Sequence, residues 1–159
     1  MKKFLLGFLC GMVLIVTWCI NVKNGLSKKV EAEKKRADCN VMLFRTVNSW
    51  LMLKQKGKTI TKYFEKHGYY NVAIYGMRDI GERLYDALYG TDICVKYGVD
   101  ENAKNIFTTL KLYTPDQELE EIDVMVVTTS YYYNDIEVAM SEKVRCPIVS
   151  IDKIIDEVL

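Results

Sequence analysis

Asn71-Val72-Ala73-Ile74-Tyr75, followed at once by Gly76-Met77-Arg78-Asp79-Ile80-Gly81, decides the fold. An apolar run, a glycine turn and an amphipathic stretch predict strand, tight turn and helix, the opening of a dinucleotide-binding βαβ unit. Such a turn bends sharply, lets backbone amides approach a pyrophosphate, and lets the helix pack close to the sheet. Gly76 supplies the bend and Gly81 the close packing. The approach asks for a middle glycine, and Arg78 stands there. Its guanidinium either meets a phosphate as an ionic partner or fills the ligand's place. Asp79 suits the positive end of the helix dipole, but it also sits where phosphate charge would fall.

Further strand-like runs follow at Ile93–Tyr97, a weaker Leu110–Tyr113, Val124–Thr128 and Ile148–Ser150. The stretches between them carry helix signals. Ile80, Leu84 and Leu88 share one apolar face after Asp79. Thr114-Pro115-Asp116-Gln117 and Asn134-Asp135-Ile136-Glu137 read as helix openings, and Ser150 as the cap of a last helix bearing Ile151, Ile154, Ile155 and Val158. Strands apolar almost throughout, alternating with helices, predict an α/β parallel sheet covered on both faces, in the Rossmann-like order 3-2-1-4-5. The stretch from Asp100 to Leu110 has room for one helical turn only. The third strand is therefore expected to be irregular, or to join as an edge in the opposite sense.

Asp100 lies 24 residues after Gly76, where an acidic residue accepts hydrogen bonds from a ribose; a strand-ending turn with Glu101 and Asn102 explains it equally well. Thr128 and Thr129 end the fourth strand beside the switch point. With Gly76, Met77, Arg78, Gly81 and Asp100 they form the candidate cofactor-binding set. Tyr131-Tyr132-Tyr133 reads as a loop packed on the domain in preference to a pocket wall. The single histidine, His67, reads as part of a helix-ending turn before Gly68, with Thr59 capping that short helix over Ile60–Lys66.

Phe4 to Ile20 is a run of 17 residues without a charge, about 25 Å as a helix, and Asn21-Val22 extend it. No small-x-small cleavage site follows, so residues 1–22 are expected to be an uncleaved transmembrane anchor. Lys23, Lys28, Lys29, Lys34, Lys35 and Arg36 follow it and outweigh Lys2 and Lys3, which places the remainder on the cytoplasmic side of a single-pass membrane protein. Residues 23–57 read as one long helix, and 58–159 as the α/β domain. Phe44, Val47 and Leu51 form a stripe that needs a partner: either the following domain or, through residues 26–55, a second copy of the helix. A true coiled coil meets polar Glu33, Asn40 and Lys54 at alternate core positions when Val30 is the first.

Net charge is +1, and the basic residues cluster beside the apolar run, so nucleic acid is not an expected partner. Five cysteines without a C-x-x-C pair indicate neither a disulfide framework nor a zinc site. No Tyr-x-x-x-Lys pair follows the fourth strand, and no phosphate loop, metal cluster or Cys/His dyad is visible. The motifs point to a binding or regulatory module with no metal site and no catalytic residues.

From about Trp50 onward the chain resembles a group of small bacterial Rossmann-like proteins found with surface-polysaccharide and glycosyltransferase genes. The resemblance is carried by Trp50-Leu51-x-Leu53-Lys54-Gln55-x-Gly57-Lys58, Tyr63-Phe64-Glu65, Asn71–Met77, Val99-Asp100 and Cys146-Pro147-Ile148. Members typically have Gly-Met-Gly-Glu-Leu-Gly where this chain has GMRDIG. The resemblance implies NAD(P) or a nucleotide-sugar as ligand, polysaccharide-synthesis enzymes as partners, and binding roles for Gly76, Gly81 and Asp100. A ligand-free interaction module is the alternative, and an NAD-dependent enzyme would need catalytic groups from another chain.

Overall fold

The computed structural model describes the backbone of residues 2–159 and the side chains of residues 18–159. The elements are α1 (Lys2–Gln55), α2 (Thr61–His67), β1 (Asn71–Tyr75), α3 (Asp79–Leu88), β2 (Cys94–Val99), β3 (Leu112–Tyr113), β4 (Val124–Val127), α4 (Tyr133–Ser141), β5 (Ile148–Ser150) and α5 (Ile151–Val158). The five strands form one sheet, β3-β2-β1-β4-β5, parallel at every pairing. The third strand is parallel but only two residues long, and one 3₁₀ turn at Ala103–Asn105 serves as its crossover.

The chain divides into two compact units, Met1–Asn40 and Val41–Leu159. The first is α-helical over its described residues, and its described side chains are exposed apart from the half-exposed Cys39. The segment expected to be the membrane anchor falls mostly outside the residues whose side chains are described. Among the described residues, no helix is long and apolar enough to cross a membrane. The second unit starts before the expected boundary at residue 58, because Thr46, Trp50 and Leu53 at the end of α1 are buried.

Strand alternation divides the core of this unit in two. Val72 and Ile74 of β1, with Val124 and Val126 of β4, meet Trp50 and Leu53 of α1, Phe64 of α2, Leu84 and Leu88 of α3, and Ile154 and Ile155 of α5. Ala73 and Tyr75, with Met125 and Val127, face the other way, toward Tyr97, Val99 and Met140, with Leu119, Ile122 and Ile136 at the edge. The β1–β2 register slips between Val72 and Ala73, so Lys96 has no partner in β1 and Tyr97 is brought opposite Ala73.

Local signals held where their partners are local. Ser150 Oγ accepts from the Lys153 N–H at 3.2 Å and caps α5 as expected. Helix α2 closes at Gly68, whose N–H and that of Tyr69 return to the carbonyls of Glu65 and Phe64, with His67 as its last residue. Three expected caps are not formed. Thr59 shares a hydrogen bond with Thr61 in place of capping α2. Thr114–Gln117 is a tight turn without a helix: the Gln117 side chain accepts from the Thr114 N–H, while Lys111, Tyr113 and Tyr97 hold the following Glu120 at the sheet edge. Asn134 lies inside the first turn of α4, because a 3₁₀ turn at Ser130–Tyr132 carries the chain out of β4.

At the amino-terminal edge of the sheet, Asp123 Oδ2 accepts from the N–H groups of Tyr70 at 2.8 Å and Asn71 at 2.6 Å. These backbone donors, Asn71 first, hold its carboxyl below the usual carboxylate range. The stability that Asp123 contributes is therefore complete above about pH 4 and lost as pH falls through its depressed value. Urea unfolding at stepped pH should show Asp123→Asn less stable at neutrality, with a flatter acid limb. Parallel acid limbs in the two proteins would refute this role. A fragment beginning at Val41 should unfold cooperatively, whereas one beginning at Lys56 lacks Trp50 and Leu53 and should lose roughly 4 kcal/mol or more.

Candidate functional site

The strand order reverses direction between β1 and β4, and there the carboxyl ends of the strands open a cleft of about 680 Å³. Its lining comes from three places: Tyr75, Gly76 and Arg78 after β1, Asp100, Glu101 and Asn102 after β2, and Thr129, Tyr132, Asp135, Ile136 and Ala139 on the way into and along α4.

The turn is built by close approach. Gly76 has φ +90°, and its N–H donates to the Val99 carbonyl at 2.8 Å. A Cβ on Gly81 would stand 2.1 Å from the Gly76 carbonyl oxygen, so α3 rests directly on the turn. This is the packing expected of the last glycine. Thr128 is buried, and its hydroxyl donates to the Gly76 carbonyl at 2.5 Å, with the Tyr75 carbonyl at 3.1 Å. Met77 has a fully buried side chain packed over Gly98 and Leu112.

Asp100 is 7% exposed and braces this turn. Its Oδ2 accepts from the Met77 N–H at 3.0 Å and its Oδ1 from the Asn102 N–H at 2.8 Å. The turn reading of Asp100 and its place beside the glycine loop are thus both present in one side chain. Each oxygen keeps a lone pair for a further donor. Burial raises the Tyr75 hydroxyl above its ordinary pKa, with the carboxylates of Glu101 and Asp100 adding to the effect.

Arg78 occupies the N-cap position of α3 and is exposed; its carbonyl accepts from the Glu82 N–H at 2.9 Å, while its guanidinium makes no hydrogen bond or ion pair with the described residues. No side chain caps α3, so its first N–H groups are left without side-chain acceptors beside the cleft. Asp79 and Glu82 stand in that first turn, and Glu101 and Asp135 line the cleft.

Of the seven residues the sequence nominates, Gly76, Arg78, Asp100 and Thr129 line the cleft. Met77, Gly81 and Thr128 lie behind it and hold the turn in shape. Tyr132, Asp135, Ile136 and Ala139 were not nominated as binding residues; the cap-like Asn134-Asp135-Ile136-Glu137 was the available signal that a helix turns inward there. Of the tyrosine triplet, Tyr132 lines the cleft, while Tyr133 donates to the Ile148 carbonyl and bonds Glu137, and burial pushes its hydroxyl up to about 12. Among the described residues, no cluster of three His, Cys, Asp or Glu side chains could hold a metal ion, and Cys19, Cys39, Cys94 and Cys146 are free thiols.

No protein family, curated protein or solved structure matches this chain. The chemistry of the cleft has to be read from its own groups. They can offer a cation, helix-terminal N–H donors and carboxylate acceptors to one ligand.

Gly81→Ala should lower unfolding stability by about 1–3 kcal/mol, because its methyl group meets a backbone oxygen that cannot move away. Asp100→Asn keeps the shape but replaces one acceptor with a donor facing an N–H, and should lose about 1–3 kcal/mol. Guanidinium unfolding reads both, and wild-type stability in either variant would contradict the bracing described.

Proposed function

We propose that the chain is a membrane-anchored, cytoplasm-facing accessory module whose Rossmann-like domain holds a nucleotide or nucleotide-sugar without performing chemistry on it. One observation carries this reading: the unpaired Arg78 and the uncapped amino terminus of α3 meet at the switch-point cleft. A helix amino terminus with an adjacent guanidinium suits a phosphate group. A cleft of about 680 Å³ lies within the usual range for small ligands. In this arrangement phosphate oxygens meet Arg78 and the α3 amides, ribose or sugar hydroxyls donate to the remaining lone pairs of Asp100, and Ile136 and Ala139 supply an apolar wall. The polysaccharide setting rests on sequence resemblance, and the anchor on the uncharged run from Phe4 to Ile20.

The second reading, a ligand-free interaction module, has its own support. Both Asp100 oxygens and the Thr128 hydroxyl already serve the backbone, and Glu101 and Asp135 face the cleft opposite a single cation.

Thermal melting of the full chain in detergent separates the two, with NAD, NADP, UDP-sugars and simple nucleotides as probes. Binding to the native state adds about 2.7 kcal/mol at a hundredfold excess over Kd. The binding reading expects a saturable rise in Tm for one class of probe, lost in Arg78→Glu. A rise confined to Arg78→Gly would mean that this side chain blocks the site. Silence in both folded proteins would favour the interaction module.

A further inference from the structure

The last turns of α1 present two apolar faces, and the α/β domain uses only one. Thr46, Trp50 and Leu53 are buried, and Thr46 Oγ1 donates to Asp152 of α5 at 2.5 Å. On the neighbouring face Phe44 is 70% exposed, Val47 48% and Leu51 52%. Val47 and Leu51 of that face, with Trp50 and Lys54, form one wall of a groove of about 310 Å³, with Ile80, Arg83 and Ala87 of α3 on the other side.

We infer that this face is covered by α1 of a second copy of the chain, in a parallel, in-register pair. The first argument is its period. Val30, Ala37, Phe44 and Leu51 recur every seven residues, with Leu26 and Val47 at the intervening core position. A seven-residue repeat drifts about 20° per heptad on a straight helix, so another helix supercoiling with it covers all four layers, which a globular surface does not. Val30 and Leu26 are 61% and 62% exposed.

Polar Glu33, Asn40 and Lys54 interrupt the repeat, and the first two favour a parallel pair. In a parallel pair Asn40 meets Asn40 of the second copy, and each amide can satisfy the other; an antiparallel pair sets it against Ala37 or Phe44. A polar residue at one core position fixes register at a cost in stability. Glu33 enters a hole formed by Val30, Glu33, Lys34 and Ala37 of the facing helix, so the two like-charged Glu33 side chains are each flanked by an opposite charge on Lys34. On its own helix Glu33 pairs with exposed Arg36, at 3.0 Å. The inference is independent of the nucleotide reading.

The test is sedimentation equilibrium of the full chain in density-matched detergent, with Phe44→Glu/Val47→Glu and Lys34→Glu beside the parent. A dimeric parent, a double variant at least about 100-fold weaker in association, and a Lys34→Glu variant weakened to a lesser degree are expected. The mutated side chains are exposed, so circular dichroism and Tm should show all three proteins folded. With the native cysteines replaced by serine, oxidative cross-linking should join Val47→Cys but not Arg45→Cys. A monomeric parent would overturn the inference and give the stripe to another protein or a lipid surface. A dimer that survives the double substitution, or equal cross-linking at both cysteines, would overturn it too.

Discussion

There is no room for a side chain between α3 and the turn that follows β1. The Gly81 backbone lies so near the Gly76 carbonyl that a methyl group would stand 2.1 Å from that oxygen. This closeness brings Ile80, Leu84 and Leu88 onto the central strand, and α1 then has a surface on which Trp50 and Leu53 can be buried. It also fixes where α3 begins, and therefore where its amide groups emerge. Asp100 and Thr128 hold the turn from either side, one through the Met77 N–H and the other through the Gly76 carbonyl. The shape of the cleft follows from a packing constraint made behind it.

Much of the fold was legible because the relevant chemistry is local. Apolar runs gave the five strands, and their alternation with helices gave the parallel order. Ser150 was readable because its acceptor and the N–H it satisfies lie three residues apart. What escaped depends on partners distant in sequence. Thr46 does not look like a core residue, yet its hydroxyl meets a carboxylate 106 positions away and the residue is buried. Phe44, Val47 and Leu51 formed a stripe that either the domain or a second copy of the helix had to cover, and the domain took the neighbouring face. Thr114–Gln117 formed one hydrogen bond of a helix opening, from the Thr114 N–H to the Gln117 side chain, but Glu120 is tied to the sheet edge and no helix follows.

The site was legible to the same degree. Spacing placed Asp100 near the glycine turn, but nothing in the spacing showed that its oxygens hold backbone amides. The α4 side of the cleft was the harder part, since Tyr132, Asp135 and Ile136 reach it only through a 3₁₀ turn whose length the sequence does not announce. Among the described residues, the resulting cleft sets Arg78 beside the carboxylates of Asp100, Glu101 and Asp135.

The two faces of the sheet are clothed unequally. Four helices lie on one, while the other has α4 and the irregular chain between β3 and β4. Cover of this kind predicts that the amides of α4 open more readily than those of the helices on the other face. The walls contributed by α4 belong to the loose side, whereas the glycine turn belongs to the tight one. A molecule entering the cleft would thus meet a rigid floor and a compliant wall, and part of its binding energy would appear as lost motion in α4.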